Sequence, residues 1–166
     1  MPPRRVLPFP QSKPDPAELL SVGGSVDRFA VSLLLHGEDL DPAEITRRLG
    51  VEPQIAGLAG SRVSPRAAPL TRGVWGLKRE DVAPATPGAT LAALLAPLPR
   101  DAALWAELSS RFEIRVSLGL FLEQWNRGFE LPADLVRRVG ELGAALSCDI
   151  YAPDDGEDDG GDRANV

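Results

Sequence analysis

The chain of 166 residues is poor in the groups that make and break bonds: it holds one cysteine, one histidine and one tyrosine. A lone Cys148 excludes an internal disulfide and, with no export signal read at the proline-broken start, predicts a reducing, cytoplasmic setting. A lone His36 leaves a zinc or iron site short of ligands, since such sites take three or four protein donors. It also leaves serine or cysteine nucleophiles with a single candidate base, and no G-x-S-x-G elbow occurs. Neither G-x-G-x-x-G nor G-x-x-x-x-G-K-[ST] is present, so the familiar phosphate cradles are missing. No apolar run approaches the roughly 18 to 20 residues that a membrane span requires. Lysine is nearly absent, confined to Lys13 and Lys78.

Net charge is small outside a single place. The formal net charge is −6, of which −5 belongs to residues 154–166, leaving −1 for the rest. A near-neutral body offers no basic footprint for nucleic acid. The acidic end mimics part of a calcium loop in Asp155, Glu157, Asp159 and Gly160, but the twelfth position is Val166 rather than glutamate. It reads as a solvated tail. Residues 1–26, rich in proline, read as an irregular leader, so a single domain is expected over residues 27–153.

What the sequence does contain is alternation. Phe112, Ile114, Val116, Leu118, Leu120 and Leu122 alternate with mostly polar or small residues, the pattern of a long strand with one face against a core. Phe29, Val31, Leu33 and Leu35 predict another strand over residues 28–36. Asp41, Pro42 and Glu44 predict a capped helix that Gly50 ends, with Glu44 closing a capping box. Residues 52–72 read as a long loop, 73–78 as a strand, and 90–99 and 101–111 as helices. A helix after Pro132 and a last strand over 145–152 complete the order, with Cys148 on the apolar face beside Leu146 and Ile150 as inert core filler. The fold class predicted is α+β: a mostly antiparallel sheet with helices packed on one face, in a ferredoxin-like layout.

The stretch Arg28-Phe29-Ala30-Val31 through Gly37-Glu38-Asp39-Leu40-Asp41-Pro42, then Ile45, Leu49-Gly50 and Pro53, resembles a bacterial family known as domain of unknown function 4279. Gly73-Val74-Trp75-Gly76-Leu77, Leu131-Pro132-Ala133-Asp134-Leu135 and Asp149-Ile150-Tyr151 continue the likeness in order. The resemblance covers about residues 28–152. It implies a small cytoplasmic bacterial α+β protein with no assigned catalytic residues.

Function is then expected from surface rather than chemistry. Glu113 and Glu123 lie about 33 Å apart on one strand, too far to act as paired carboxylates. Trp and Arg dominate binding hot spots, so Arg72, Trp75, Trp125 and Arg127 are the candidate contact residues. The expectation is a non-catalytic protein-binding module, with the immunity type as one form of it, a protein partner, no cofactor and no metal. The alternative is a small-ligand-binding regulatory domain in which the 52–72 loop closes over a metabolite.

Overall fold

The computed structural model describes residues 24–62, 64, 66–123 and 127–151. In chain order the elements are β1 (Gly24–Ser25), β2 (Arg28–Gly37), α1 (Pro42–Leu49), β3 (Ile55–Gly57), β4 (Gly73–Val82), α2 (Pro87–Leu95), α3 (Ala102–Arg111), β5 (Glu113–Phe121), β6 (Arg127–Gly128), α4 (Ala133–Glu141) and β7 (Ala145–Tyr151). One sheet of five strands runs β3-β4-β2-β5-β7, and a two-stranded ladder joins β1 to β6. All pairings in the large sheet are antiparallel except β5 with β7. The protein is α+β, with its sheet mostly antiparallel.

Alternation sets which face of that sheet is dry. Leu33 pairs with Leu77 on one side and Val116 on the other, and Leu35 with Trp75 and Ile114, all on one face. Those residues and the apolar faces of α1 to α4 form one core. A one-residue slip of β2 would turn Phe29, Val31, Leu33 and Leu35 outward, exchanging fully buried side chains for exposed ones at about 1.5–3 kcal/mol each. The opposite face stays partly exposed along Ala30, Ser32 and Leu34.

The ferredoxin-like layout is not confirmed for the sheet as a whole, because a fifth strand, β7, joins it parallel to β5. That arrangement interleaves two βαβ units, the first joining the strands on either side of the first helix. Here β2 and β3 flank α1 and run parallel to each other, with β4 paired antiparallel to both between them. A second split crossover joins β4 to β5 around β2, and β5 then passes to its neighbour β7 through α4. A periodic pattern tells a strand which face to bury, not which strand to sit beside.

Local differences have local causes. The expected 52–72 loop contains an edge strand, β3, whose Ile55 pairs with Gly76. Gly24–Ser25, placed by sequence in the leader, pair with Arg127–Gly128, and Val26 is fully buried. Asp41 caps α1 through the Ala43 N–H at 2.9 Å, and Gly50 ends the helix at φ 68°. Glu44, however, does not close the expected capping box. Its carboxylate takes ion pairs from Arg48 at 3.5 Å and Arg111 at 3.2 Å.

These pairs belong to a network that ties α1 to α3. Arg48 reaches across with both terminal nitrogens to the two carboxylate oxygens of Glu107, and Arg111 adds a third contact at 3.3 Å. The Arg48 guanidinium, seconded by Arg111, holds the Glu107 carboxyl down to about 2 from its ordinary 4.5. A carboxyl depressed on folding stabilises the fold above its unfolded value and loses that contribution as pH falls through its folded value. Stability is therefore expected to decline as pH drops from 4.5 toward 2, and Glu107→Gln should flatten that limb. Urea midpoints of both proteins across this interval check it; parallel curves would show that the network contributes nothing.

Candidate functional site

Of the four contact residues expected from sequence, the three that are described do not come together. Trp75 is fully buried in the core, and its indole N–H donates to the Thr46 hydroxyl of α1 at 3.0 Å. It packs β4 against α1 and meets no solvent. Trp125 lies outside the described residues. Arg72 is exposed and pairs with Glu113 at 3.1 Å, beyond the end of the sheet where Gly73 meets Gly37. Arg127 lies at the other end, where its Nε donates to Asp27 at 3.0 Å. The length of β2 separates those two arginines by about 30 Å, so no single ligand of ordinary size touches both.

Each arginine instead closes a local structure. Arg127 holds the Asp27 carboxyl below its usual range, helped by the Glu123 backbone N–H that also donates to it. Arg72 forms one wall of a polar depression of about 430 Å³ with His36, Glu38, Asp39 and Glu113. Burial, then the nearby Arg72 charge, push the His36 imidazole below its ordinary 6.5, so it is neutral at neutral pH. Among the described residues no three His, Cys, Asp or Glu side chains converge as metal ligands would.

A larger cleft, about 600 Å³, opens between the length of α2, the length of α4 and the β1–β6 ladder. Its size falls within the range of small-molecule sites. The sequence builds its walls in two ways. Helix α2 carries no charged residue, so Leu91, Leu94 and Leu95 bury on the core side while Ala89 and Ala92 present a smooth exposed surface to the cleft. Gly88 lets the chain pass close by: a methyl group there would come within 2.8 Å of the Glu130 carbonyl oxygen. Helix α4 is the charged wall, setting Leu135 and Val139 into the core and Asp134, Arg137, Arg138 and Glu141 toward the opening.

Arg138 organises this wall. Its side chain is almost buried, donating to the carbonyl of Pro99 at 2.7 Å and facing Glu141 at 3.7 Å. Burial and the neighbouring Arg100 charge both lower its pKa, which places two guanidinium groups within electrostatic reach. The lining carries three arginines (Arg100, Arg137, Arg138) and three carboxylates (Glu130, Asp134, Glu141) around an apolar floor of Val26, Leu95 and Leu135. Such a site offers balanced charge and apolar area, and holds no histidine, cysteine or serine nucleophile apart from Ser25.

Sequence reasoning missed this cleft, although two signals were present: an uncharged helix from Pro87, and a run of charges spaced three and four apart after Pro132. It also missed an aromatic and arginine cluster at residues it did not name. On the open sheet face Phe121 and Tyr151 stack at 4.7 Å, and the Arg28 guanidinium lies 3.9 Å above the Phe121 ring.

The fold and cleft define an α+β protein with a mixed five-stranded sheet, helices on one face and a charge-balanced cleft at their edge. The chain belongs to the family described as domain of unknown function 4279, whose model matches residues 27–153. No curated protein and no solved structure matches it. No helix among the described residues is long and apolar enough to cross a membrane.

The reassignment of Trp75 has a measurable consequence. Trp75→Ala is expected to cost about 3–5 kcal/mol in chemical denaturation, as loss of a buried aromatic does. A cost below about 0.5 kcal/mol, typical of surface positions, would return this residue to the surface.

Proposed function

We propose that the protein is a non-catalytic binding module whose ligand is a small zwitterion with an apolar body, of the amino-acid type, held in the cleft between α2 and α4. The observation that carries this reading is the lining itself: equal numbers of cationic and anionic side chains around an apolar floor. A ligand with one charge of each sign meets partners for both, while a purely apolar or singly charged molecule leaves some of the rim unmatched. No described residue of the 52–72 segment lines this cleft.

The test is a thermal-shift titration with leucine and phenylalanine, and with their N-acetyl and amide derivatives. Binding to the folded state raises the melting temperature in proportion to occupancy. The free amino acids should shift it and the singly charged derivatives should shift it less. Ala92→Trp fills the cleft from an exposed helix position and should weaken binding about tenfold or more, equivalent to 1.4 kcal/mol. A flat response to the whole panel, or an equal response in Ala92→Trp, removes the proposal.

A second reading, a protein partner of the immunity type, draws support from the exposed Arg28–Phe121–Tyr151 stack, a combination common at binding hot spots. Under it, Tyr151→Ala should reduce recovery of a stoichiometric partner from native lysate severalfold; unchanged recovery counts against it.

A further inference from the structure

The two edges of the large sheet are built differently. At one edge β3 is only three residues long, and where it stops β4 continues as Lys78, Arg79, Glu80 and Asp81. A short strand and a run of charges are the ordinary guards against edge pairing. At the other edge β7 runs seven residues, Ala-Leu-Ser-Cys-Asp-Ile-Tyr, with one charge and neither proline nor glycine. Among the described residues no strand pairs with its outer side.

The apolar layer also stops there without cover. Val116, Leu118 and Leu120 of β5 are at most 3% exposed, whereas their β7 neighbours Leu146 and Ile150 are 44% and 64% exposed and Cys148 is exposed between them. The sequence expectation that Cys148 is core filler is thus corrected: it stands on the core side of the sheet, one strand past the helices. Val136, on the helix that leads into β7, is half exposed as well.

Backbone direction adds a register. The Leu122 N–H donates to the Tyr151 carbonyl at 2.9 Å, so Tyr151 directs its backbone polar groups toward β5. Strand residues alternate in this respect, and the odd-numbered residues of β7 therefore face β5. Leu146, Cys148 and Ile150 point their N–H and C=O groups outward, at the open edge. These are also the exposed apolar residues.

We propose that β7 pairs antiparallel with β7 of a second copy of this chain, about a twofold axis at Cys148. Cys148 is the centre of the seven-residue strand, so this register gives the longest overlap. Leu146 lies opposite Ile150 of the second copy, and Cys148 opposite its own equivalent. Each opposed pair exchanges two backbone hydrogen bonds. Asp149 faces Ser147 of the second copy, so like charges do not meet directly. The interface is self-complementary, as a twofold contact requires. It joins two five-stranded sheets into one and extends the apolar layer across the seam. A foreign strand would meet the edge but has no reason to share this symmetry.

The experiment uses the full chain. Sedimentation equilibrium should give twice 17.7 kDa at concentrations above a micromolar-order Kd, and Ile150→Lys should give the monomer mass. Ile150 is exposed, so its melting curve serves as the folding control. In the opposed pair the Cys148 Cα atoms stand about 5.5 Å apart, inside the range a disulfide spans. Mild oxidation should therefore convert the wild type to a covalent dimer at least tenfold faster than Ile150→Lys. Hydrogen exchange at the Leu146, Cys148 and Ile150 amides should be slow in the dimer and fast on dilution. A monomer across the whole concentration range overturns the proposal. So does a dimer indifferent to Ile150→Lys, or amide protection that survives dilution, which would show another part of the chain covering the edge.

Discussion

Phe29, Val31, Leu33 and Leu35 of β2 share one face with Ile114, Val116, Leu118 and Leu120 of β5, and that shared face is the constraint on everything else. Two central strands that are apolar on one side only leave a single surface for four helices to cover. Ladder register transmits the requirement outward. Leu77 and Trp75 of β4 fall on the same face because they pair with Leu33 and Leu35. The helices then compete for area, and the margins of the covered zone are where binding surfaces arise. Beyond Leu77, β4 runs past the densest part of the core, and its residues become charged and exposed.

Between α3, α4 and the end of α2, a backbone carbonyl is the shared partner. The Pro99 oxygen, between α2 and α3, accepts the Trp105 indole N–H at 2.8 Å and the Arg138 guanidinium at 2.7 Å. A half-buried carbonyl with both acceptor directions used is fully satisfied, and a buried arginine with carbonyl partners avoids the penalty of an unpaired charge. Because Arg138 sits on α4, this node sets the distance between α2 and α4. The cleft between them is thus a consequence of how one polar group was satisfied in the interior.

Most of the local structure was legible in the sequence. Alternation in β2 and β5 is unambiguous because both strands are long and one-faced. The α1 boundaries follow from Asp41, Pro42 and Gly50, whose conformational preferences act at short range. The candidate contacts were less legible. Trp75 and Arg72 are close in sequence, yet one is pinned under α1 and the other stands beyond the sheet end. Residue type signals capacity to bind; exposure decides whether the capacity is available. The cleft had only faint signals, since its lining comes from residues 25 to 141 and no local window contains it.

By itself the sequence determined the long strands and the helices, which face of those strands is apolar, and how little reactive chemistry the chain carries. These are properties of short windows, set by side-chain periodicity and backbone preference. Only the tertiary structure decided that β2 lies between β4 and β5, that β7 ends the sheet with its apolar row uncovered, and that α2 and α4 stand apart around a charge-balanced cleft. Those facts depend on contacts between residues far apart in the chain, where many pairings satisfy the same local pattern and the packing of the whole selects one.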